Sequence, residues 1–314
     1  MFDRWHVAKA LFLPAFLLIT GCQSLQTHLS DEPAEVIAKG QSANQSESIA
    51  GSASSQARDP DAPLDLWARI RQSYSLGNHD HERIDYELKR YAGKNGFFKR
   101  IAERADPYLF LIVEEMERNG IPGEVALLPI VESAFKPFAY SHGRASGLWQ
   151  FISATGLRYG MKQSWWYDGR RDVLASTQGA AKYLNTLKDH FDGNWLLALA
   201  SYNTGEYRVL REMKKNRQAG KPTDFWNLDL PRETEAYVPR LLAMAKIIAD
   251  PAKYGIDLPP ISNEPKLAVV ETGGQLDLAI AADMAGISLD ELYRLNPGFN
   301  RWATDPDGPH RLLV

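Results

Sequence analysis

Between Val125 and Phe135 one ionisable side chain, Glu132, interrupts an apolar run that includes Leu127, Leu128, Ile130, Val131 and Ala134. Desolvation disfavours the charged form of a carboxyl and lifts its pKa. A glutamate held this way can keep a proton near neutral pH and pass it to a leaving group. Glutamate is seldom fully buried, so the same run also reads as the edge of a core helix with its carboxylate in water. The residues that follow bear on that choice: Ser141, then Gln150 closing Gly147-Leu148-Trp149-Gln150, then Tyr202-Asn203 and Tyr237. Ser141 and Gln150 are neutral hydrogen-bonding groups, which do not lower a carboxyl's pKa as a nearby cation would.

These side chains need positioning elements, and the pattern around them is helical. Asp106-Pro107 supplies an N-cap and a first helical residue, Leu109, Ile112, Val113 and Met116 follow at helical spacing, and Gly120 supplies the stop. Residues 176–191 repeat the pattern through Ala180, Leu184 and Leu187, ending near Gly193. Residues 195–202 are apolar all round, which predicts a buried helix whose C-terminal end delivers Tyr202 and Asn203 to a cleft. A long helix is expected over 233–250, kinked at Pro239. No run alternates with a strand period before residue 265, so the class is mainly α, with α+β character confined to the C-terminus. Ser133 follows Glu132 directly and therefore faces elsewhere, as helix support rather than chemistry.

The motifs resemble the family 1, Slt-type lytic transglycosylases of the lysozyme superfamily, and most closely their membrane-bound D group. Glu132-Ser133 matches the family's Glu-Ser pair, and Ser141 and Gly147-Leu148-Trp149-Gln150 match its serine and its Gly-Leu-Met-Gln. Ser201-Tyr202-Asn203 matches Ala-Tyr-Asn, and residues 233–238 match Glu-Thr-x-x-Tyr-Val. The resemblance covers residues 64–314. It implies a goose-type lysozyme-like transglycosylase domain over residues 63–262, with Glu132 catalytic and Ser141, Gln150, Tyr202, Asn203 and Tyr237 binding substrate. Trp149 departs from the commonest Met, Ser201 from Ala, Arg144 from Gly and Tyr207 from a second Gly. Arg144 and Tyr207 are expected to alter loop geometry and groove shape, not the position of Glu132.

Most glycosidases use two carboxylates flanking the scissile bond. Asp168, Asp172, Glu206 and Glu235 lie near the motifs, and none falls at a nucleophile position of the resembled family. The resemblance implies a one-carboxylate route instead. Glu132 protonates the glycosidic oxygen between N-acetylmuramic acid and N-acetylglucosamine while the muramoyl acetamide attacks C1. The carboxylate then deprotonates the C6 hydroxyl, which closes to a 1,6-anhydro sugar. In that scheme Ser141 and Gln150 bond the acetamide or Glu132, Asn203 and Tyr237 orient the acetamide, and Tyr202 packs under Glu132 or a sugar. Trp149, Trp165, Trp166 and Tyr167 are aromatic enough to line a sugar groove, with at least two of them expected in the core. Two other functions stay open: a goose-type lysozyme-like hydrolase using water, and a non-catalytic peptidoglycan-binding lipoprotein.

With 314 residues and 44% hydrophobic content, the chain can bury a sizeable core. A net charge of −3 supplies no basic surface for nucleic acid. The absence of a dinucleotide glycine fingerprint, a phosphate loop or metal-ligand spacing leads us to expect neither cofactor nor metal. Residues 1–21 have the form of a signal peptide, with Arg4, His6 and Lys9 ahead of an apolar stretch too short to span a bilayer comfortably. Ile19-Thr20-Gly21-Cys22 resembles a bacterial lipobox, which implies lipidation of Cys22, the single cysteine. Gln23 rather than Asp after it implies an outer-membrane anchor on the periplasmic face. Residues 22–62 read as that anchor plus a flexible linker without aromatic residues, able to reach about 130 Å when fully extended. The expected partners are peptidoglycan glycan strands and a membrane, with nothing to fix an oligomeric state.

Residues 263–314 differ in character. A strand is expected over 267–270, helices over 278–285 and 288–295, a stop at Asn296-Pro297-Gly298 and a closing strand over 311–314. This βααβ order resembles a LysM-type peptidoglycan-binding module, although Glu271-Thr272-Gly273-Gly274-Gln275 departs from that family's opening turn. Sugar binding and a packing appendage both remain open for it, as does whether the native chain runs on past Val314.

Overall fold

The computed structural model describes residues 65–314. The signal peptide, Cys22 and the linker lie outside the described residues. Within them are twelve α-helices and one two-stranded sheet, and no helix among them is long and apolar enough to cross a membrane.

The centre of the fold is α8 (Trp195–Thr204), whose Leu197–Ser201 stretch is entirely buried. A helix apolar on every side has no solvent face to offer, and α8 is accordingly packed by α7 (Val173–His190), α9 (Glu206–Gln218) and α10 (Arg232–Ala249). Asn194 caps it by accepting from the Leu197 amide at 3.2 Å, and Gly205 closes it at φ +87°. α7 starts earlier than the apolar spacing suggests, because Asp172 caps it by accepting from the Ala175 amide at 2.7 Å. α10 stays helical through Pro239 and packs on α2 (Glu82–Tyr91) and on α5 (Leu128–Ser133). Pro129 starts α5 within its first two positions, where a missing amide hydrogen costs nothing.

One expected cap is corrected. α4 (Leu109–Arg118) starts after Asp106-Pro107, and Tyr108 precedes it without a side-chain cap. Asp106 is itself in a helical conformation, φ −46° and ψ −44°, and ends α3 (Asn95–Ala105). An N-cap needs extended backbone. Its carboxylate instead pairs with Lys266 across the chain.

In the C-terminal segment β1 (Val269–Glu271) pairs antiparallel with β2 (Arg311–Leu313), Val269 facing Leu313. Between them lie α11 (Leu278–Ala285), capped by Asp277, and α12 (Leu289–Leu295), capped by Ser288. The βααβ order therefore stands. The segment is also firmly docked on the helical body. Leu295 and Leu313 belong to the main core, and Phe299 meets Tyr167 with ring centroids 5.3 Å apart. The Tyr108 hydroxyl donates to the Arg294 carbonyl at 2.9 Å. Asp172, besides capping α7, pairs with Arg311 at 3.3 Å, and Asp305 accepts from Ser164 at 2.6 Å and pairs with Lys162 at 3.0 Å.

Candidate active site

Glu132 sits in the last turn of α5. The helix ends abruptly because Ala134 and Phe135 both take left-handed conformations, φ +51° and +53°. Such backbone costs roughly 1–2 kcal/mol per residue and persists only where packing imposes it. Phe135 is fully buried, and Ser133 supplies the second tie, its hydroxyl lying 3.2 Å from the Pro129 carbonyl and 2.9 Å from that of Leu148. Ser133 is thus helix support, as its position next to Glu132 implies.

Leu148 belongs to a loop held by backbone geometry rather than by regular structure. At Gly147, φ is +83° and an added Cβ would come within 1.9 Å of the Arg170 carbonyl, so no side chain fits. Arg144, which stands where many members of the resembled family carry glycine, takes the glycine-favoured φ of +61°. At that φ the Arg144 side chain bears strain that a glycine would not. Arg170, which sequence reasoning missed, ties this loop together. Its guanidinium binds both carboxylate oxygens of Asp168, at 2.9 and 2.8 Å, and donates to the Arg144 carbonyl at 2.9 Å.

Ser141, Gln150, Tyr202, Asn203 and Tyr237 all join Glu132 in the lining of one cavity of about 510 Å³. Their bonding differs from expectation in one respect. Gln150 donates to the Gly147 and Ala139 carbonyls, at 2.8 and 3.3 Å, and Ser141 accepts from the Ala145 amide at 3.0 Å. Both bond loop backbone rather than Glu132. The carboxyl of Glu132 instead accepts from the Tyr237 hydroxyl. Tyr202 donates to the Trp149 carbonyl at 2.8 Å, and Thr234 donates to Asn203 Oδ1 at 2.7 Å, leaving the Asn203 Nδ2 donors for the cavity.

Burial lifts the Glu132 carboxyl to a pKa of about 7. The Tyr237 hydrogen bond opposes the rise, Glu233 adds to it, and Arg240 opposes it. Glu233 and Arg240 also line the cavity, and sequence reasoning passed over both. The signal was present: 233, 237 and 240 stand at i, i+4 and i+7, one face of α10. Arg240 in turn is held at 3.4 Å by Glu87, a buried carboxylate on α2.

The other candidates separate cleanly. Asp168 and Asp172 are committed to Arg170 and Arg311, and Glu235 faces Arg83 at 3.6 Å outside the cavity. Glu206 lines the cavity, as Glu233 does. Trp149 and Tyr167 are core residues, and the Trp149 indole donates to Thr177 at 3.0 Å. Trp165 and Trp166 are not part of the cavity lining, because the Ser164 hydroxyl, bonded to Asp305, holds their loop against the C-terminal segment.

A carboxyl with a near-neutral pKa, one hydroxyl donor and free amide hydrogens on Asn203 make a proton-transfer site for a neutral polar substrate. Residues 110–225 match the family described as Transglycosylase SLT domain, and residues 266–314 match that described as Lytic transglycosylase MltD, LysM-like domain. The chain is 39% identical over 310 residues to membrane-bound lytic murein transglycosylase D from two strains of Escherichia coli, K12 and O6:H1, covering 98% of this chain and 68% of the relative. A protein of Alteromonas sp. (strain M-1) named for tributyltin chloride resistance is 38% identical over 180 residues, 57% of this chain and 83% of its own length. Because the likeness runs through the helical body and the βααβ segment alike, the chain belongs to the membrane-bound lytic murein transglycosylase D family, enzymes of the lyase class.

Proposed function

We propose that this enzyme cleaves the β-1,4 bond between N-acetylmuramic acid and N-acetylglucosamine in peptidoglycan without consuming water, leaving 1,6-anhydro-N-acetylmuramic acid ends. The observation that carries this reading is the state of Glu132, a carboxyl lifted to about 7 by burial, with the Tyr237 hydroxyl as its donor. A group of that pKa serves equally as acid and as base at neutral pH. Glu132 gives its proton to the glycosidic oxygen as the muramoyl acetamide oxygen attacks C1, forming an oxazolinium ion. The resulting carboxylate then removes the C6 hydroxyl proton as that oxygen displaces the acetamide from C1. Asn203, fixed by Thr234, orients the acetamide. Tyr237 holds Glu132 in line and partly offsets its charge, while Ser141, Gln150 and Tyr202 shape the sugar groove.

In the same reading residues 63–262 are the catalytic domain and 263–314 a LysM-like segment. Cys22, after a signal peptide over 1–21, carries lipid and tethers the enzyme to the outer membrane on its periplasmic face. The name of the Escherichia coli relative, which includes both murein and membrane-bound, supports this location.

One observation favours a second reading. Glu206 and Glu233 line the cavity beside Glu132, and a second carboxylate is what a water-using hydrolase needs. Product chemistry separates the two. Digestion in ¹⁸O-water is expected to give muropeptides lighter by one water than hydrolytic products, resistant to borohydride and unlabelled at C1. Dominant initial products that are reducing and carry ¹⁸O at C1 would overturn the transglycosylase chemistry. Retention of the protein in outer-membrane fractions, lost in Cys22→Ser, tests the anchor; an unlipidated mature N-terminus would refute it.

A further inference from the structure

Three tryptophans meet where the helical body joins the βααβ segment. Trp165 and Trp166 come from the loop after α6 (Ser153–Arg158), and Trp302 comes from the stretch between α12 and β2. Their rings contact one another edge to face, with centroids 4.7 Å apart for Trp165 and Trp166, 5.4 Å for Trp166 and Trp302, and 6.0 Å for Trp165 and Trp302. Trp165 is 55% exposed and Trp302 58%. Indoles this large and this exposed are costly to leave in water, and a contiguous group of them marks a contact surface.

The cluster is held in place from both sides. The Ser164 hydroxyl accepts from the Trp166 amide at 3.1 Å and donates to Asp305, while the Asn300 amide donates to the Trp166 carbonyl at 2.7 Å. It is also next to the cleft rim. Ile152 and Thr155 line the cavity, and between them Ser153 exchanges two hydrogen bonds with Gln163, at 2.7 and 3.0 Å, two residues before Trp165. Arg301 rests 3.9 Å from the Trp165 ring centroid, which brings positive charge to the platform.

We infer that Trp165, Trp166 and Trp302 form a second glycan-binding site, on which a sugar ring of the same peptidoglycan strand stacks after leaving the cleft past Ile152 and Thr155. The inference rests on the peptidoglycan reading above and extends it. The occupant follows from continuity with the cleft and from chemistry. Pyranose rings present flat C–H faces to indoles, and the peptide stems of peptidoglycan carry carboxylates that suit Arg301. The site is composite, completed only because the βααβ segment is docked on the body. It also gives that segment a role in sugar binding without requiring it to bind sugar alone.

The test uses the full chain with Glu132→Gln, so that ligands stay uncut, and calorimetric titration with two probes: long un-cross-linked glycan strands and a tetrasaccharide that fits the cleft alone. Adding Trp302→Ala is expected to weaken binding of the long strands roughly two- to twelvefold, the range of one aromatic contact, and to leave the tetrasaccharide unchanged. Trp302→Phe should retain more affinity than Trp302→Leu, which keeps bulk but not the ring face, and this comparison serves if the alanine variant fails to fold. A folded Trp165→Ala/Trp302→Ala variant that binds long strands like its parent overturns the inference, as does an equal loss for both probes, which would make the tryptophans part of the cleft. A parent that binds neither probe instead refutes the peptidoglycan reading itself.

Discussion

The cleft floor and the docking junction each hold a carboxylate under strong desolvation, and they treat it in opposite ways. At the junction, burial pushes the Asp305 carboxyl up, but the Ser164 hydroxyl, the Asp307 amide and Lys162 together outweigh it and hold the pKa below the usual carboxylate range. At the cleft floor burial wins, since the Tyr237 hydroxyl is the donor that Glu132 receives, and the pKa stands at about 7. At both groups desolvation is the largest single influence. What differs is the number of donors supplied, and a buried carboxyl short of donors is one kept ready to carry a proton.

Glu132→Gln breaks that comparison most directly. It keeps the shape and the Tyr237 contact but has no proton to give, so activity on peptidoglycan is expected to fall by at least about a hundredfold. Near-wild-type turnover by the folded variant would remove Glu132 from the mechanism and bring Glu206 and Glu233 forward.

The same substitution is expected to stabilise the fold, with a defined pH dependence. A carboxyl raised from 4.5 to about 7 in the folded state binds more protons there than in the unfolded chain between those values. Wild-type stability therefore declines as pH rises through that window, by up to about 3 kcal/mol. Denaturant titrations should find the variant more stable at pH 8 and indistinguishable near pH 4. A constant difference at all pH values would mean that Glu132 is not strained by burial.

Asp305→Asn probes the other side. Loss of the charged acceptor for Ser164 and Lys162 is expected to cost about 1–3 kcal/mol, read as a lower denaturation midpoint. Here the sign reverses: the folded pKa is depressed, so the carboxylate's contribution is present above the unfolded value and is lost as pH falls through the folded one. The difference between variant and wild type should accordingly shrink only in acid, below the usual carboxylate range. A variant equal to wild type at pH 7 would show that the junction's ion pair carries no net stability.

How much of this was legible in the sequence divides along the same line. The helices that carry Glu132, Tyr202, Asn203 and Tyr237 were readable, because apolar spacing records which face is buried, and the six expected side chains share one cavity. The βααβ order was readable from short elements with clear caps at Asp277 and Ser288. What failed was pairing at a distance. Arg170 holding the Arg144 carbonyl, Glu87 holding Arg240, and Lys162 with Asp305 join residues whose separation in the chain leaves no periodic trace. Asp106 failed for a local reason, since Asp-Pro has the composition of a helix start while the preceding helix had already fixed its backbone. Gln150 and Ser141 line the expected cavity but bond loop backbone rather than Glu132, because a tight loop offers its own carbonyls and amides first.

The smallest expected effect sharpens the comparison at a third buried polar group. Ser201, one residue before Tyr202 on α8, is fully buried, and its hydroxyl has no hydrogen-bond partner. Unlike Asp305 it receives no compensation, and unlike Glu132 it carries no proton that the proposed chemistry uses. The resembled family has Ala at this position, a residue that buries no hydroxyl and suits a helix interior better. Ser201→Ala should therefore raise stability by about 1 kcal/mol, measured as a higher denaturation midpoint, with turnover on peptidoglycan unchanged. If turnover instead fell with stability unchanged or higher, Ser201 would join the cleft as a group that positions Tyr202, and donor shortage would mark working residues on both sides of the cavity.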